Sequence, residues 1–170
     1  MEAVKRLLRL DPDTALQKLD AALDSVRRGL ADVRGAVRMM KVDVGTEDVA
    51  ALLTELIDGA KEMTGVEVDA SFGPLPPLGA VHKKVLYSAL QEGLTNGIKH
   101  GGARRFALTL DAEGGYVRFA LRNDGAPYAA VPHGFGLTTL RDRAAELGGA
   151  LRVAADGDRG TVLELRFPVQ

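Results

Sequence analysis

The sequence predicts an α/β domain preceded by a helical segment, and two kinds of hydrophobic period carry that prediction. Up to residue 44 the apolar residues recur only at helical spacing, whereas from residue 45 helical and alternating stretches take turns, divided by glycine and proline. The third observation is composition. With 170 residues, 46% hydrophobic and 26% charged, the chain suits one globular domain with an appendage and can bury a real core.

In the appendage, Asp11-Pro12-Asp13 interrupts residues 1–10, which read as the tail of a preceding helix. From there Leu16, Leu19, Leu23, Val26, Leu30, Val33, Val37 and Met40 alternate steps of three and four, a heptad seam over residues 14–42. Ala15, Ala22, Gly29 and Ala36 recur every seven residues beside it and let a partner helix come close. A seam of that length predicts a homodimer through this helix. The domain boundaries expected are 1–44 and 45–170.

Thr46 can cap the next helix, with Glu47 and Asp48 in its first turn and Val49, Leu52, Leu53, Leu56, Ile57, Ala60 and Met63 on one face. Gly65 ends it, and residues 66–70 alternate as a strand. Prolines at 74, 76 and 77 hold a connector extended before a long helix from Leu78 to His100. Residues 105–111 and 116–122 form a hairpin around Gly114-Gly115, Asn123-Asp124-Gly125 breaks its second strand, and residues 126–133 read as a loop. Gly134-Phe135-Gly136 then precedes a helix over 137–147. Strands at 150–155 and 161–168 close the chain.

Composition excludes several functions. No cysteine is present, which removes disulfides, thiol catalysis and thiolate metal sites, and His82, His100 and His133 lie too far apart for a zinc cluster. A net charge of -1 gives no global attraction to nucleic acid, so no nucleic-acid partner is expected. No run of about 18 apolar residues occurs, and the expectation is a cytoplasmic polypeptide or the cytoplasmic part of a membrane-anchored sensor.

The chemistry concentrates on the long helix. Glu92, Asn96 and His100 stand at i, i+4 and i+8, so a carboxylate, a carboxamide and an imidazole share one stripe. Gly93 and Gly97 lie beside it, each costing the helix about 1 kcal/mol relative to alanine, and close approach of a ligand or another backbone would account for them. Downstream, the Asn123-Asp124-Gly125 turn and the glycine-flanked helix start at Gly134–Leu137 offer amides of the kind that attract phosphate. Neither the Walker nor the dinucleotide-binding spacing is present.

The order of these segments resembles the ATP-binding domain of bacterial sensor histidine kinases, a branch of the ATPase superfamily shared with gyrase, MutL-type repair proteins and a heat-shock chaperone. Glu92 to His100 looks like its N box, Asn123 to Gly125 its first glycine box, Gly134 to Leu137 its second and Gly160-Thr161 its third. The resemblance covers about residues 46 to 170. The heptad run and the 137–143 helix are similar to those of the nitrate-sensor-like class.

The resemblance implies a Bergerat-type fold, a two-layer sandwich of a mixed sheet with helices on one face, and ATP and Mg²⁺ as cofactors. It implies that Asn96 holds Mg²⁺ through its side-chain oxygen, that Lys99 and His100 lie near the phosphates, and that Glu92 has a supporting polar role. Asn123 and Gly125 would meet adenine, helped by Thr161, while Gly134, Gly136 and Leu137 would let a lid fold over the phosphates. The partners implied are the phosphoacceptor histidine helix of a parent kinase and a response regulator.

Two departures from that pattern stand out. Asn123 replaces the aspartate that meets the adenine amino group, with Ala126-Pro127 in place of a second glycine. No histidine lies in the N-terminal segment, where the family places its acceptor, so the chain is expected to phosphorylate a histidine outside itself. The alternatives are an anti-sigma-factor serine kinase on the same fold and a non-catalytic nucleotide-gated dimerisation module.

Overall fold

The computed structural model describes residues 48–128 and 135–169, together with Thr14 and Leu16. The turn at 11–13, the rest of the heptad helix, Thr46 with its expected cap, His133 and Gly134 lie outside the described residues. The elements below all belong to the unit Gly45–Gln170.

The first helix, α1, spans Val49–Thr64, and its N-cap is Asp48, whose carboxylate accepts the Ala50 N–H at 3.2 Å. The expected start is therefore corrected. Asp48 is extended rather than helical and sits within reach of the first unsatisfied amides, so it caps the helix instead of lying in its first turn. Gly65 ends α1, its N–H returning to the Lys61 carbonyl at 2.8 Å.

Strand β1, Glu67–Phe72, leads through the proline connector to α2, Ala80–Lys99, which is slightly shorter than the 78–100 expected. Gly79 supplies no side-chain cap, and His100 is already the C-cap. Strands β2, Arg105–Glu113, and β3, Tyr116–Asn123, form the expected hairpin. Gly114 and Gly115, at φ 60° and 79°, give the two-residue turn the left-handed conformation that matches the twist of paired strands.

Helix α3 spans Phe135–Glu146, so Phe135 and Gly136 are its first residues and not its preamble. A glycine is tolerated there because first-turn N–H groups have no intrahelical partner to lose. The far end closes before Leu147, as the Gly149 N–H reaches back to the Ala144 carbonyl at 2.9 Å. Strands β4, Ala150–Ala155, and β5, Thr161–Pro168, complete the fold.

The five strands lie in the order β1-β2-β3-β5-β4, with β1 parallel to β2 and every other pair antiparallel. This is the mixed sheet expected. Alternation sends Phe106, Leu108 and Leu110, then Val117, Phe119 and Leu121, then Leu163, Leu165 and Phe167 to one face, where all are buried. Register aligns them in rows: Leu108 opposite Leu121 opposite Leu163, and Leu110 opposite Phe119 opposite Leu165. Leu53 and Ile57 of α1, Leu86 and Leu90 of α2, and Leu140 of α3 are buried as well. Each such side chain contributes about 1.5–3 kcal/mol by leaving water.

The other face is charged and exposed. Arg118 pairs with Asp111 and Glu113, Arg152 with Glu164, and the Arg166 guanidinium lies 3.7 Å above the Tyr116 ring. Such pairs keep the face soluble and add little stability, about 0–1 kcal/mol each. Among the described residues no helix is long and apolar enough to cross a membrane.

Gly93 and Gly97 seat α2 on the sheet. A Cβ on Gly93 would lie 2.5 Å from Leu121 Cδ2, and one on Gly97 would lie 2.6 and 2.8 Å from the Phe106 ring. Their reason is neither a ligand nor a second backbone but sheet side chains filling the space. Gly97→Ala should destabilise the domain by up to about 2 kcal/mol, since overpacking costs about 1–3 and the helix regains about 1. Urea unfolding checks this, and a rise in stability would show that the Phe106 ring yields freely.

Candidate functional site

The polar stripe of α2 is partly kept. Glu92 and Asn96 are half-buried, and the Asn96 side-chain N–H group donates to Glu92 Oε1 at 3.0 Å. With its amide hydrogens turned to Glu92, Asn96 keeps Oδ1 as its remaining acceptor. Lys99 and His100 are exposed at the helix end, where the His100 N–H bonds the Asn96 carbonyl at 2.9 Å. His100 therefore belongs to the cap and not to the helical stripe.

Across Gly97 stands Asn123. A Cβ on Gly97 would lie 3.0 Å from Asn123 Nδ2, so the bare helix turn lets the two asparagine-bearing segments meet. Asn123 Oδ1 accepts the Gly125 N–H at 3.0 Å, a local turn that fixes the side chain and leaves the oxygen's second lone pair for another donor.

Backbone hydrogen bonds then weld three segments together. The Ala126 N–H donates to the Gly101 carbonyl at 2.8 Å, the Gly160 N–H to the Gly125 carbonyl at 2.7 Å, and the Thr161 hydroxyl to the Ala126 carbonyl at 3.1 Å. Gly160, at φ 106°, adopts a conformation few other residues accept, and a Cβ there would strike the Asn123 carbonyl. Asn123 and Thr161 are direct partners in the β3–β5 register.

The start of α3 joins the same neighbourhood. A Cβ on Gly136 would overlap the Glu92 carboxylate, while Leu137 is buried beneath the helix. Of the residues singled out in the sequence, Glu92, Asn96 and Gly136 are thus linked by contacts, as are Asn123, Gly125 and Thr161, and Gly97 beside Asn96 touches the second group. Lys99 and His100 sit at the rim. His82 is remote, its ring 5.2 Å from that of Phe167 and its Nδ1 buried with no hydrogen-bond partner. A shallow depression lined by Lys61, Val66, Glu67 and Asp69 lies at the β1 edge and contains none of these residues.

The donor set suits Mg²⁺ delivered with a nucleotide. A neutral carboxamide oxygen is a hard ligand, and among the described residues no three His, Asp or Glu converge to cage an ion alone. Such an ion would take its other ligands from phosphate oxygens and water.

Asp124 is the residue that sequence reasoning passed over. Its Oδ1 accepts the N–H groups of Arg104 and Arg105, both at 2.9 Å, and its Oδ2 pairs with Arg105 Nε at 3.2 Å. The Arg105 and Arg104 backbone hydrogen bonds, then the Arg105 side chain, lower its pKa to about 2. The signal was there to use. Counting back from the Gly114-Gly115 turn places Arg105 opposite Asp124, because the hairpin pairs Glu113 with Tyr116 and Phe106 with Asn123.

Known proteins resemble this chain in sequence and in fold. The family described as Histidine kinase-, DNA gyrase B-, and HSP90-like ATPase matches residues 82–170. The sensor histidine kinase YxjM of Bacillus subtilis is 26% identical over 174 residues, covering 99% of this chain and 42% of the relative. The sensor histidine kinase MctS of Rhizobium johnstonii is also 26% identical, over 99% of this chain and 38% of its own length. This chain thus spans about two fifths of the curated relatives it matches.

Among solved structures, the histidine kinase domain of the Erythrobacter litoralis EL346 blue-light activated kinase superposes with a TM-score of 0.64 at 17% identity, over 95% of this chain and 85% of that one. Full-length ShkA in complex with AMPPNP gives 0.61 at 21% identity, over 92% and 38%. These two likenesses show the fold.

A depressed carboxylate pKa sets the direction of an acid effect. In the unfolded chain Asp124 protonates near 3.8, in the folded one near 2, so its contribution is present above pH 4 and is lost as pH falls towards 2. Asp124→Asn should therefore cost stability at pH 7 and much less at pH 2. The carboxylate is more than a third exposed, so solvent screening holds the pH 7 difference to about 1 kcal/mol. Urea unfolding at several pH values checks this, and a difference as large at pH 2 as at pH 7 would assign the effect to shape rather than charge.

Proposed function

This chain belongs to the family of histidine kinase-, DNA gyrase B- and HSP90-like ATPases and carries the ATP-binding catalytic domain of the bacterial sensor histidine kinases, and from that premise we propose how its residues work. It binds ATP with Mg²⁺ and directs the γ-phosphoryl group to a histidine outside these 170 residues. The observation that supports this best is the seating of the Asn123 side chain against Gly97, the residue next to Asn96 of the Glu92–Asn96 pair.

In this reading Asn123 Oδ1 accepts a hydrogen from the adenine amino group, and Gly125 and Thr161, held by the backbone weld, fix the base. Asn96 offers its oxygen to the cation, Lys99 and His100 flank the phosphates from the rim, and the segment of Gly134, Gly136 and Leu137 covers them. Bound Mg²⁺ neutralises charge on the phosphoryl group being transferred. Glu92 serves as a polar support and not as a base, since an activated water would compete with the acceptor.

The heptad helix of residues 14–42 would join two copies, and domains 1–44 and 45–170 would divide dimerisation from nucleotide binding. The acceptor histidine helix and a response regulator are the partners that follow, in a cytoplasmic setting. Neither of the two histidines among the described residues suits the acceptor role. His82 is half-buried against Phe167, and His100 is fixed at the helix end beside the phosphates.

Two measurements test the reading. Asn96→Ala should weaken ATP binding about tenfold or more in Mg²⁺, about 1.4 kcal/mol or above, while metal-free binding changes little. Calorimetry with the metal dependence intact would remove Asn96 from the site. With γ-labelled ATP, label on this chain alone should be absent, and acid-labile label should appear when an acceptor-helix peptide is supplied. Acid-labile label on the chain by itself would move the acceptor inside it.

A further inference from the structure

Gly136 is exposed, so nothing about core packing demands a glycine there. Yet the space its side chain would take is occupied: Glu92 Oε2 lies 2.6 Å from a Cβ built on it, and Oε1 and Cδ lie closer still. Gly59, by contrast, has open space around the same position. The atom that crowds Gly136 is also the one that receives the Asn96 amide, because Glu92 Oε1 accepts from Asn96 Nδ2.

Three residues on two helices are therefore linked in series. An alanine at 136 would displace the carboxylate, and a displaced carboxylate would release the carboxamide. A free asparagine side chain turns broadly about its last torsion, and in the flipped orientation it presents N–H where an oxygen is needed.

We infer that Gly136 and Glu92 are positioning residues that set the Asn96 carboxamide with its oxygen outward, ready for a hard cation. The absent Cβ makes room for the carboxylate, the carboxylate holds one amide hydrogen, and the oxygen is left as the free acceptor. The same contact means that a shift of the α3 start relative to α2 changes the space around the cation ligand. The functional consequence rests on the Mg²⁺–nucleotide reading above, whereas the relay itself operates in the ligand-free protein.

The test begins without ligand. In ¹H–¹⁵N spectra of the full chain, the Asn96 side-chain amide, assigned by its loss in Asn96→Ala, should show the slow exchange of a hydrogen-bonded group. Glu92→Ala and Gly136→Ala should each shift it and speed its exchange, and Glu92→Gln, which keeps an acceptor oxygen, should recover most of the difference. In calorimetry with ATP, the two alanine variants should lose about tenfold in Mg²⁺-dependent affinity with less than twofold change without metal, about 1.4 kcal/mol against about 0.4. The double variant should be no worse than Glu92→Ala alone, as expected of residues acting in series.

An Asn96 amide unmoved by Glu92→Ala overturns the relay, as does Glu92→Gln behaving like Glu92→Ala in the Mg²⁺ titration, which would make Glu92 act through its charge. Additive losses in the double variant separate Gly136 from Glu92 and also overturn it. Should the wild type show no Mg²⁺-dependent nucleotide binding while the amide responds as described, the nucleotide reading fails and the positioning contact stands. Thermal melting of each variant without ligand confirms that the folded chain is being compared.

Discussion

The arrangement depends on how closely α2 sits against the sheet. A 20-residue helix with two interior glycines gives up about 2 kcal/mol of helix propensity, and the space so released is filled by Leu121, the Phe106 ring and the Asn123 side chain. Leu121 and Phe106 are buried, and their transfer from water offsets that cost. The close seating has a second consequence. It carries Asn96 on the helix and Asn123 at the strand end into one neighbourhood, which side chains at 93 and 97 would have pushed apart.

Within the Asn123-Asp124-Gly125 turn the work is divided by direction. Successive residues at the end of a strand point to opposite sides, so Asn123 turns towards α2 while Asp124 turns to the amides of Arg104 and Arg105. The charged residue locks the hairpin and the neutral one faces the site. A carboxylate with two backbone donors and a guanidinium is already satisfied, which is why its pKa falls to about 2 although it remains partly exposed.

Much of the site is held by main-chain atoms. Gly101, Gly125, Ala126 and Gly160 meet through carbonyls and amides, so the requirement on sequence is mainly that bulky side chains be absent at the crossings. That is a physical reason why a fold of this kind persists in solved structures only 17–21% identical to this chain.

How much could be read in the sequence follows from the range of each interaction. The strands, the Gly114-Gly115 turn, the Gly65 helix stop and the order of the polar segments are local or periodic, and the sequence determined them. Even the Arg105–Asp124 pairing is a matter of counting along a hairpin. The start of α1 at Val49 and of α3 at Phe135 turned on which of several neighbouring residues satisfied the first amides, a choice that local pattern leaves open. The strand order β1-β2-β3-β5-β4 and the contact of Glu92 with Gly136, 44 positions along the chain, were decided only by tertiary structure. Alternation names the face a residue occupies but not the neighbour it meets there, and a glycine's missing atom has no meaning until another side chain arrives to fill its place.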